Sequence, residues 1–475
     1  MRVAVLVAAA GLACSRTAGP VRPAPGVGLP VDPTTVPEST ATPAAPPGVP
    51  VERPAEPEDR PPPTRLPGNV SRAAGARTID APVTDVQRLS RSARGPSIRV
   101  LTGTHANAVT FEVSSSWIVE RVGEEATVAK GGPGRAWRIE RSGTALRVVR
   151  GDGAATPYRR GVLELRPAEP NGVMAIDRTR YRGVMRFHAT SAGILAVDHL
   201  SLEEYLTGVV PLEIGRTRTM SEIAAVEAQA VAARSYTVTR LGNGGTYDLR
   251  STTADQVYGG VAAETPVAIR AVLNTRGLVL RYGDRTVNAP YHSTCGGTTA
   301  EAPEAWNTRG EPFLQRVSDR IPGTDRDYCE PSPRYRWTKT ISAEALDAAV
   351  ARHLGAYQRA AAGPPGAVRA VRVASTTASG RVGTAVIQTT RGDYTLRGND
   401  ARYVLRQPGG EILNSSYFSV RGPADGRGGV VLEGRGYGHG VGMCQWGAIG
   451  RARAGQDFRT ILQTYFPGTT VGPAR

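Results

Sequence analysis

The run Leu202-Glu-Glu-Tyr-Leu-Thr-Gly-Val-Val-Pro-Leu-Glu213 is followed, after a short Gly-containing loop, by Ser221-Glu-Ile-Ala-Ala-Val-Glu-Ala-Gln-Ala-Val-Ala-Ala-Arg-Ser-Tyr236. Together they separate two kinds of text. Ser221 reads as the N-cap of a helix over Glu222–Leu241, which is rich in Ala and free of Gly and Pro. Ala225, Ala228, Ala232 and Ser235 share one face of it, and side chains this small permit close approach of another element. Glu203–Val210 predicts a second, shorter helix. Upstream, short β-type runs alternate with turn signals: Ile98–Leu101, Val109–Val113, Trp137–Glu140, Leu146–Val149, Val162–Leu165, Val184–Ala189 and Ile194–Val197. Downstream, the runs Leu278–Tyr282, Val287–His292, Ala370–Ala374 and Thr384–Thr389 alternate with one further helix, Ala343–Leu354. The expected fold class is α+β, a β-rich N-terminal module over 93–200 joined to a mixed α+β body of catalytic type over 201–475.

Outward toward the N-terminus the text changes again. Arg2 precedes an apolar stretch, Val3–Leu12, that is too short to span a membrane, and small residues then lead to Cys14. Residues 1–14 are expected to be a lipoprotein-type signal with Cys14 as the lipidated residue; ordinary secretory cleavage is the alternative. Residues 16–68 hold 16 of the 36 prolines. Such a stretch cannot bury enough apolar surface to offset its ordering entropy, so residues 15–92 read as a disordered, extended tether. The expected location is the cell envelope: exported, and attached to a membrane through the lipid alone.

Composition narrows the function. The 475 residues carry a formal charge of +16, and 56 of the 58 basic residues are Arg. The charge lies wholly beyond residue 66, because residues 1–66 are neutral in sum. Codon bias accounts for an Arg excess without any binding site; an electropositive surface facing an anionic polymer is the functional alternative. Four Cys in a chain of this length exclude a disulfide-framework scaffold. Nucleic acid is not an expected partner, since no recognition motif accompanies the Arg and an export signal precedes it.

Three segments carry chemistry. Glu213 ends an apolar run, with Val209, Val210, Pro211, Leu212 and Ile214 as neighbours. Partial desolvation there would raise its pKa and suit it to general acid work near neutral pH, whereas a surface Glu at a loop mouth is the plainer reading. The second segment is Tyr291-His-Ser-Thr-Cys-Gly-Gly-Thr-Thr-Ala-Glu-Ala-Pro-Glu-Ala-Trp306. A polar cluster at a strand end, with Trp306 nearby, suits contact with sugar hydroxyls and stacking on a ring. Cys295 as a thiol nucleophile with His292 as base is disfavoured, because residues three apart on a strand face opposite ways. The third segment, Gly434-Arg-Gly-Tyr-Gly-His-Gly-Val-Gly-Met-Cys-Gln-Trp-Gly447, places Gly at every second position up to 442. Read as an extended strand, it sets Arg435, Tyr437, His439 and Val441 on one face and bare backbone on the other. Met443–Arg453 reads as a short helix.

These segments resemble the stage II sporulation protein D family, whose domain is also called the amidase-enhancer or LytB-like domain. The matching text is Leu-Glu-Glu-Tyr-Leu-x-Gly-Val-Val-Pro-x-Glu213, Glu227-Ala-Gln-Ala-Val-Ala-Ala-Arg-Ser-Tyr236, Tyr291-His-Ser-Thr-Cys-Gly-Gly297 and Gly436-Tyr-Gly-His-Gly-Val-Gly-Met-Cys-Gln-Trp-Gly-Ala448, with a closing Ile461-Leu-Gln-Thr-Tyr-Phe-Pro-Gly468. The resemblance implies a peptidoglycan lytic transglycosylase that prefers glycan strands lacking stem peptides. The family's catalytic carboxylate falls on Glu213. Gln229, Arg234, His292, Ser293, His439 and Gln445 become groove residues, with Trp306 and Tyr437 as aromatic contacts; packing of Gln229 and Arg234 behind the site is the plain alternative. The amidase-enhancer members imply a different role, a peptidoglycan-binding module that stimulates a cell-wall amidase. This chain departs from the family pattern at Ile214, where Met is common, and at Cys295 and Cys444, where Ser is common. With Cys14 lipidated, Cys295, Cys329 and Cys444 remain. A Cys295–Cys329 disulfide with Cys444 buried and free is the preferred reading, with no metal or other cofactor; zinc held by the three thiols and His292 is the alternative.

Overall fold

The computed structural model describes residues 95–474 apart from 125, 243, 307, 359–362, 408 and 423–428. The signal, Cys14 and the whole of the tether lie outside the described residues. The described part is mixed α+β with a β-rich module at its N-terminal end. A seven-stranded sheet runs in the order 249–250, 97–105, 193–201, 184–190, 163–167, 117–121, 127–131, and a six-stranded sheet in the order 179–181, 174–176, 108–113, 137–142, 145–149, 159–160. All seven runs read as strands upstream of the helices are present. The short strands Thr127–Gly131, Met174–Ile176 and Thr179–Tyr181 carried too little alternation to be read, and Trp117–Arg121 mixes charge into its apolar pattern.

The two sheets share one core because alternate residues point inward. Val100, Phe111, Ile139, Leu163, Leu165, Met185 and Phe187 are fully buried there. Trp117 bridges the sheets, edge-on to Phe111 at 5.0 Å and to Trp137 at 4.8 Å. The same core continues without a break into the helices. Strand Leu249–Arg250 pairs in parallel with Ser97–His105, so the body adds a strand to the module's own sheet.

Helix α1 (Leu202–Ile214) is longer than its expected span. Ser201 caps it in a reciprocal box with Glu204, and it runs through Pro211 to end at Gly215, whose φ is +107°. It is buried nearly all round. Helix α2 (Ile223–Val238) begins later than expected. Residues Met220–Glu222 form a 3₁₀ turn instead, because the Glu222 carboxylate turns back to accept the Thr219 N–H at 3.3 Å and pairs with Arg453. Ser221 is therefore not the N-cap. The small face works as expected: α2 packs on α1, on α3 (Pro266–Asn274) and on strand Leu278–Tyr282.

A second core occupies the stretch from Trp337 to Leu432. It is built from the sheets 336–341/430–435/418–421 and 368–376/382–389/392–397, with α4 (Ala343–His353) and α5 (Gly398–Val404) packed on them. The chain then returns to the first core with α6 (Gln445–Arg453) and α7 (Phe458–Tyr465). Among the described residues no helix is long and apolar enough to cross a membrane.

Candidate functional site

Glu213 sits one residue before the end of α1, half-buried. Its Oε1 accepts the Val257 N–H at 3.2 Å. Burial pushes its pKa up to about 7, with the Val257 N–H and the Tyr291 hydroxyl pulling weakly the other way. Tyr291 is in turn held by Gln256, whose Nε2 donates to the phenol oxygen at 3.0 Å. The Gln256 Oε1 accepts from Tyr205 (3.2 Å) and Thr237 (2.8 Å), so α1, α2 and the loop after residue 250 are tied into one polar network behind the carboxyl. Sequence reasoning missed Gln256 and Tyr205. Tyr291 stood in a quoted segment but showed no sign of its role, since nothing local says that it reaches Glu213.

The second and third segments meet. Tyr291–His292 pairs in parallel with Met443–Cys444, which is all that forms of the strand expected over Val287–His292. The alternating glycines are not an extended strand. Strand Val430–Arg435 takes in only Gly434, and Gly436, Gly438, Gly440 and Gly442 all have positive φ, +72° to +107°. The close approach inferred from the glycines does occur: a Cβ on Gly438 would lie 2.8 Å from the Cβ of His292, and one on Gly442 would lie 2.1 Å from the Pro290 carbonyl oxygen. Left-handed backbone, not a bare face, is what demands Gly at these places.

His292 is 4 % exposed, and its Nδ1 lies 3.1 Å from the Val441 carbonyl oxygen, so Nδ1 carries the proton. The Nδ1 of His439 accepts the Val441 N–H at 3.1 Å, which fixes the opposite tautomer. Burial lowers both imidazoles, His439 to about 3, so both are neutral at physiological pH. The His439 ring lies 5.5 Å from His292 and 4.9 Å from the half-buried Trp306. The Ser293 carbonyl oxygen accepts the Trp446 N–H at 3.0 Å, and Tyr437 lies under the Arg334 guanidinium at 4.0 Å. Ser293, Trp306 and Tyr437 all keep surface.

Other expected groove residues lie inside. Arg234 is 1 % exposed, grips Glu203 with two bonds of 2.9 and 2.7 Å, and donates to the Leu278 carbonyl oxygen. It joins α2 to α1 and the strand beyond them, and it has no surface to offer a ligand. Gln229 is fully buried and accepts from Gln445 Nε2 at 3.2 Å, a bond that ties α2 to α6. The packing alternative describes both residues.

Cys444 is buried and free, as the preferred reading had it, while the bond between Cys295 and Cys329 and the place of His292 differ. Cys295 and Cys329 have their sulfurs 3.4 Å apart as free thiols, and Cys444 is not remote from them. It joins them together with Asp319, all four ligand atoms lying within 4.8 Å of one another. His292 is not in that cluster.

Residues 190–282, which include Glu213 and all of α2, match the family described as stage II sporulation protein. Over this stretch the chain is similar to that family. Residues 300–442, which cover the second core, match a domain of unknown function. The stage II sporulation protein D of Bacillus subtilis (strain 168) is 29% identical over 296 residues, 59% of this chain and 76% of that protein. An uncharacterized protein of Brachyspira hyodysenteriae is 27% identical over 318 residues, 66% of this chain and 77% of its own. The amidase enhancer of Bacillus subtilis (strain 168) is 29% identical over 306 residues, 56% of this chain; the match spans 40% of that longer protein. The stretch similar to that family thus holds the carboxyl, while residues 291–306 and 434–447 lie outside it and partly within the stretch that matches the domain of unknown function.

Proposed function

We propose that the chain is a peptidoglycan lytic transglycosylase of the cell envelope, with Glu213 as its general acid and base. The observation that carries this is a half-buried carboxyl whose pKa stands at about 7, so that near neutral pH it is present in both the acid and the base form. Hydrolysing glycosidases need a second carboxylate to activate water or attack the sugar. A single carboxyl suffices when the muramic acid C6 hydroxyl is the nucleophile. Glu213 gives its proton to the glycosidic oxygen as the C1–O bond breaks; the resulting carboxylate takes the C6 hydroxyl proton as that oxygen bonds to C1. The product is a 1,6-anhydro end. Ser293, Trp306 and Tyr437 contact the glycan, and the buried Gln229, Arg234, His292 and Gln445 hold the loops that present them. His439, against Trp306, positions the indole. The chain is exported and attached through a lipid on Cys14, with residues 15–92 as the tether.

A second reading has one observation in its favour, the similarity to a protein named amidase enhancer. In it the chain binds glycan and stimulates a cell-wall amidase without cutting. Mass spectrometry of products from purified, amidase-treated peptidoglycan separates the two. Wild type should release 1,6-anhydro-ended fragments and Glu213→Gln should release none. Faster amidase turnover with no anhydro product from wild type selects the enhancer and ends the catalytic reading.

A further inference from the structure

We propose that Cys295, Cys329, Cys444 and Asp319 form a closed zinc site that clamps three loops of the fold together. The donor set comes from three separate stretches: the loop after strand Tyr291–His292, the 319–329 segment, and the residue that caps α6. A tetrahedral zinc with Zn–S of about 2.3 Å and Zn–O of about 2.0 Å sets its ligands about 3.8 Å apart for S···S and about 3.5 Å for S···O. The thiols of Cys295 and Cys329 stand 3.4 Å apart, and Cys295 Sγ lies 3.6 Å from Asp319 Oδ2. All four residues are fully buried, which leaves no open position and marks the site as structural.

The surroundings are arranged as a metal's outer shell would be. The Cys444 sulfur accepts two backbone N–H groups, from Cys295 at 3.2 Å and Gly447 at 3.3 Å. Asp319 turns Oδ2 toward the thiols, where it also accepts the Cys329 N–H at 3.0 Å. Its Oδ1 accepts from the Tyr465 hydroxyl at 2.6 Å and from Arg451 at 3.4 Å. Gly447 keeps this space open, because a Cβ there would lie 2.6 Å from Asp319 Oδ2 and 2.0 Å from the Tyr465 oxygen.

Charge favours the metal over a disulfide. Three thiolates and a carboxylate around Zn²⁺ leave two negative charges, and two buried guanidiniums answer them. Arg451 is bonded to Asp319, and Arg381 donates to the Cys295 carbonyl oxygen at 2.9 Å. A Cys295–Cys329 disulfide with Cys444 as a thiol leaves only the Asp319 carboxylate, one negative charge against the two guanidiniums. The sequence reading placed His292 with the thiols; Asp319 takes that place, and nothing in the text around Asp319 singles it out.

The test is the metal content of the full chain, purified without chelator. We expect one zinc per chain by inductively coupled plasma mass spectrometry. Cobalt exchange should give the strong visible bands of a tetrahedral ion together with thiolate-to-cobalt charge transfer, which a surface-bound ion does not produce. After unfolding in chelator without reductant, Cys295, Cys329 and Cys444 should all alkylate. Tyr465→Phe removes one bond to Asp319 and should weaken zinc binding about 10-fold. Cys444→Ser should lose the metal, but it can also fail to fold, so wild-type stoichiometry and Tyr465→Phe carry the decision. A folded wild-type chain that holds no zinc and takes none up from buffered zinc overturns the proposal. Recovery of Cys295 and Cys329 as a linked peptide pair does the same.

Discussion

Replacing Glu213 with Gln tests the electrostatics of the site apart from any turnover. Gln has nearly the shape of the protonated side chain and can still accept the Val257 N–H, so the variant is a fixed copy of the neutral state. In wild type the carboxyl titrates at about 7 when folded, against an ordinary value of 4.5. Between those values the folded chain binds more protons than the unfolded one, so wild-type stability falls as pH rises through this window. Integrated from pH 5 to pH 8, that difference amounts to about 2.5 kcal/mol. Solvent reaching a half-buried group reduces the expectation to about 1–2 kcal/mol. Urea unfolding of wild type and Glu213→Gln at pH 5 and pH 8 measures it. The variant should gain on wild type by that amount at the higher pH and titrate with a midpoint near 7. A stability difference that is the same at both pH values would refute the raised pKa, and with it the reason for assigning Glu213 to proton transfer.

Two further outcomes follow from packing. Arg234→Ala leaves the Glu203 carboxylate buried without its guanidinium and should cost about 3–5 kcal/mol in urea unfolding, while Arg234→Met with Glu203→Leu should recover most of it; a single-variant cost below about 1 kcal/mol would show that the pair is not structural. Gly442→Ala should lower the melting temperature much more than Gly134→Ala. Both glycines have φ near +70°, but only at 442 does the new Cβ meet backbone, so equal shifts would mean that the loop does not sit against Pro290.

Legibility in the sequence followed the range of the interaction. Elements fixed by local pattern were readable: seven strands of the N-terminal module, the Ala-rich helix α2, and α4, which ends one residue short of its expected span. Errors arose where a distant partner intervened. Glu222 takes part in the turn before α2 rather than in the helix because Arg453, far along the chain, pairs with it. The glycine run left the strand because Gly436, Gly438 and Gly442 had to fit against Pro290–Cys295, and Gly440 against Arg381, all with positive φ. The second core was read only as scattered strands, since no local signal says that Trp337 and Leu432 share an interior.

The candidate site divides in the same way. By itself the sequence determined that Glu213 lies in apolar company and that Cys295 and Cys444 have Gly-rich neighbours, because these are properties of neighbours along the chain. Tertiary structure alone decided the rest. It brought Tyr291 and the Val257 N–H to the carboxyl, withdrew Arg234 and Gln229 from any groove, and added Asp319 to the thiols across a separation of 24 residues from Cys295. Hydrophobic periodicity is written into consecutive positions, but the convergence of polar atoms depends on how the elements pack. That packing also determines how far water is excluded, and so where each group titrates.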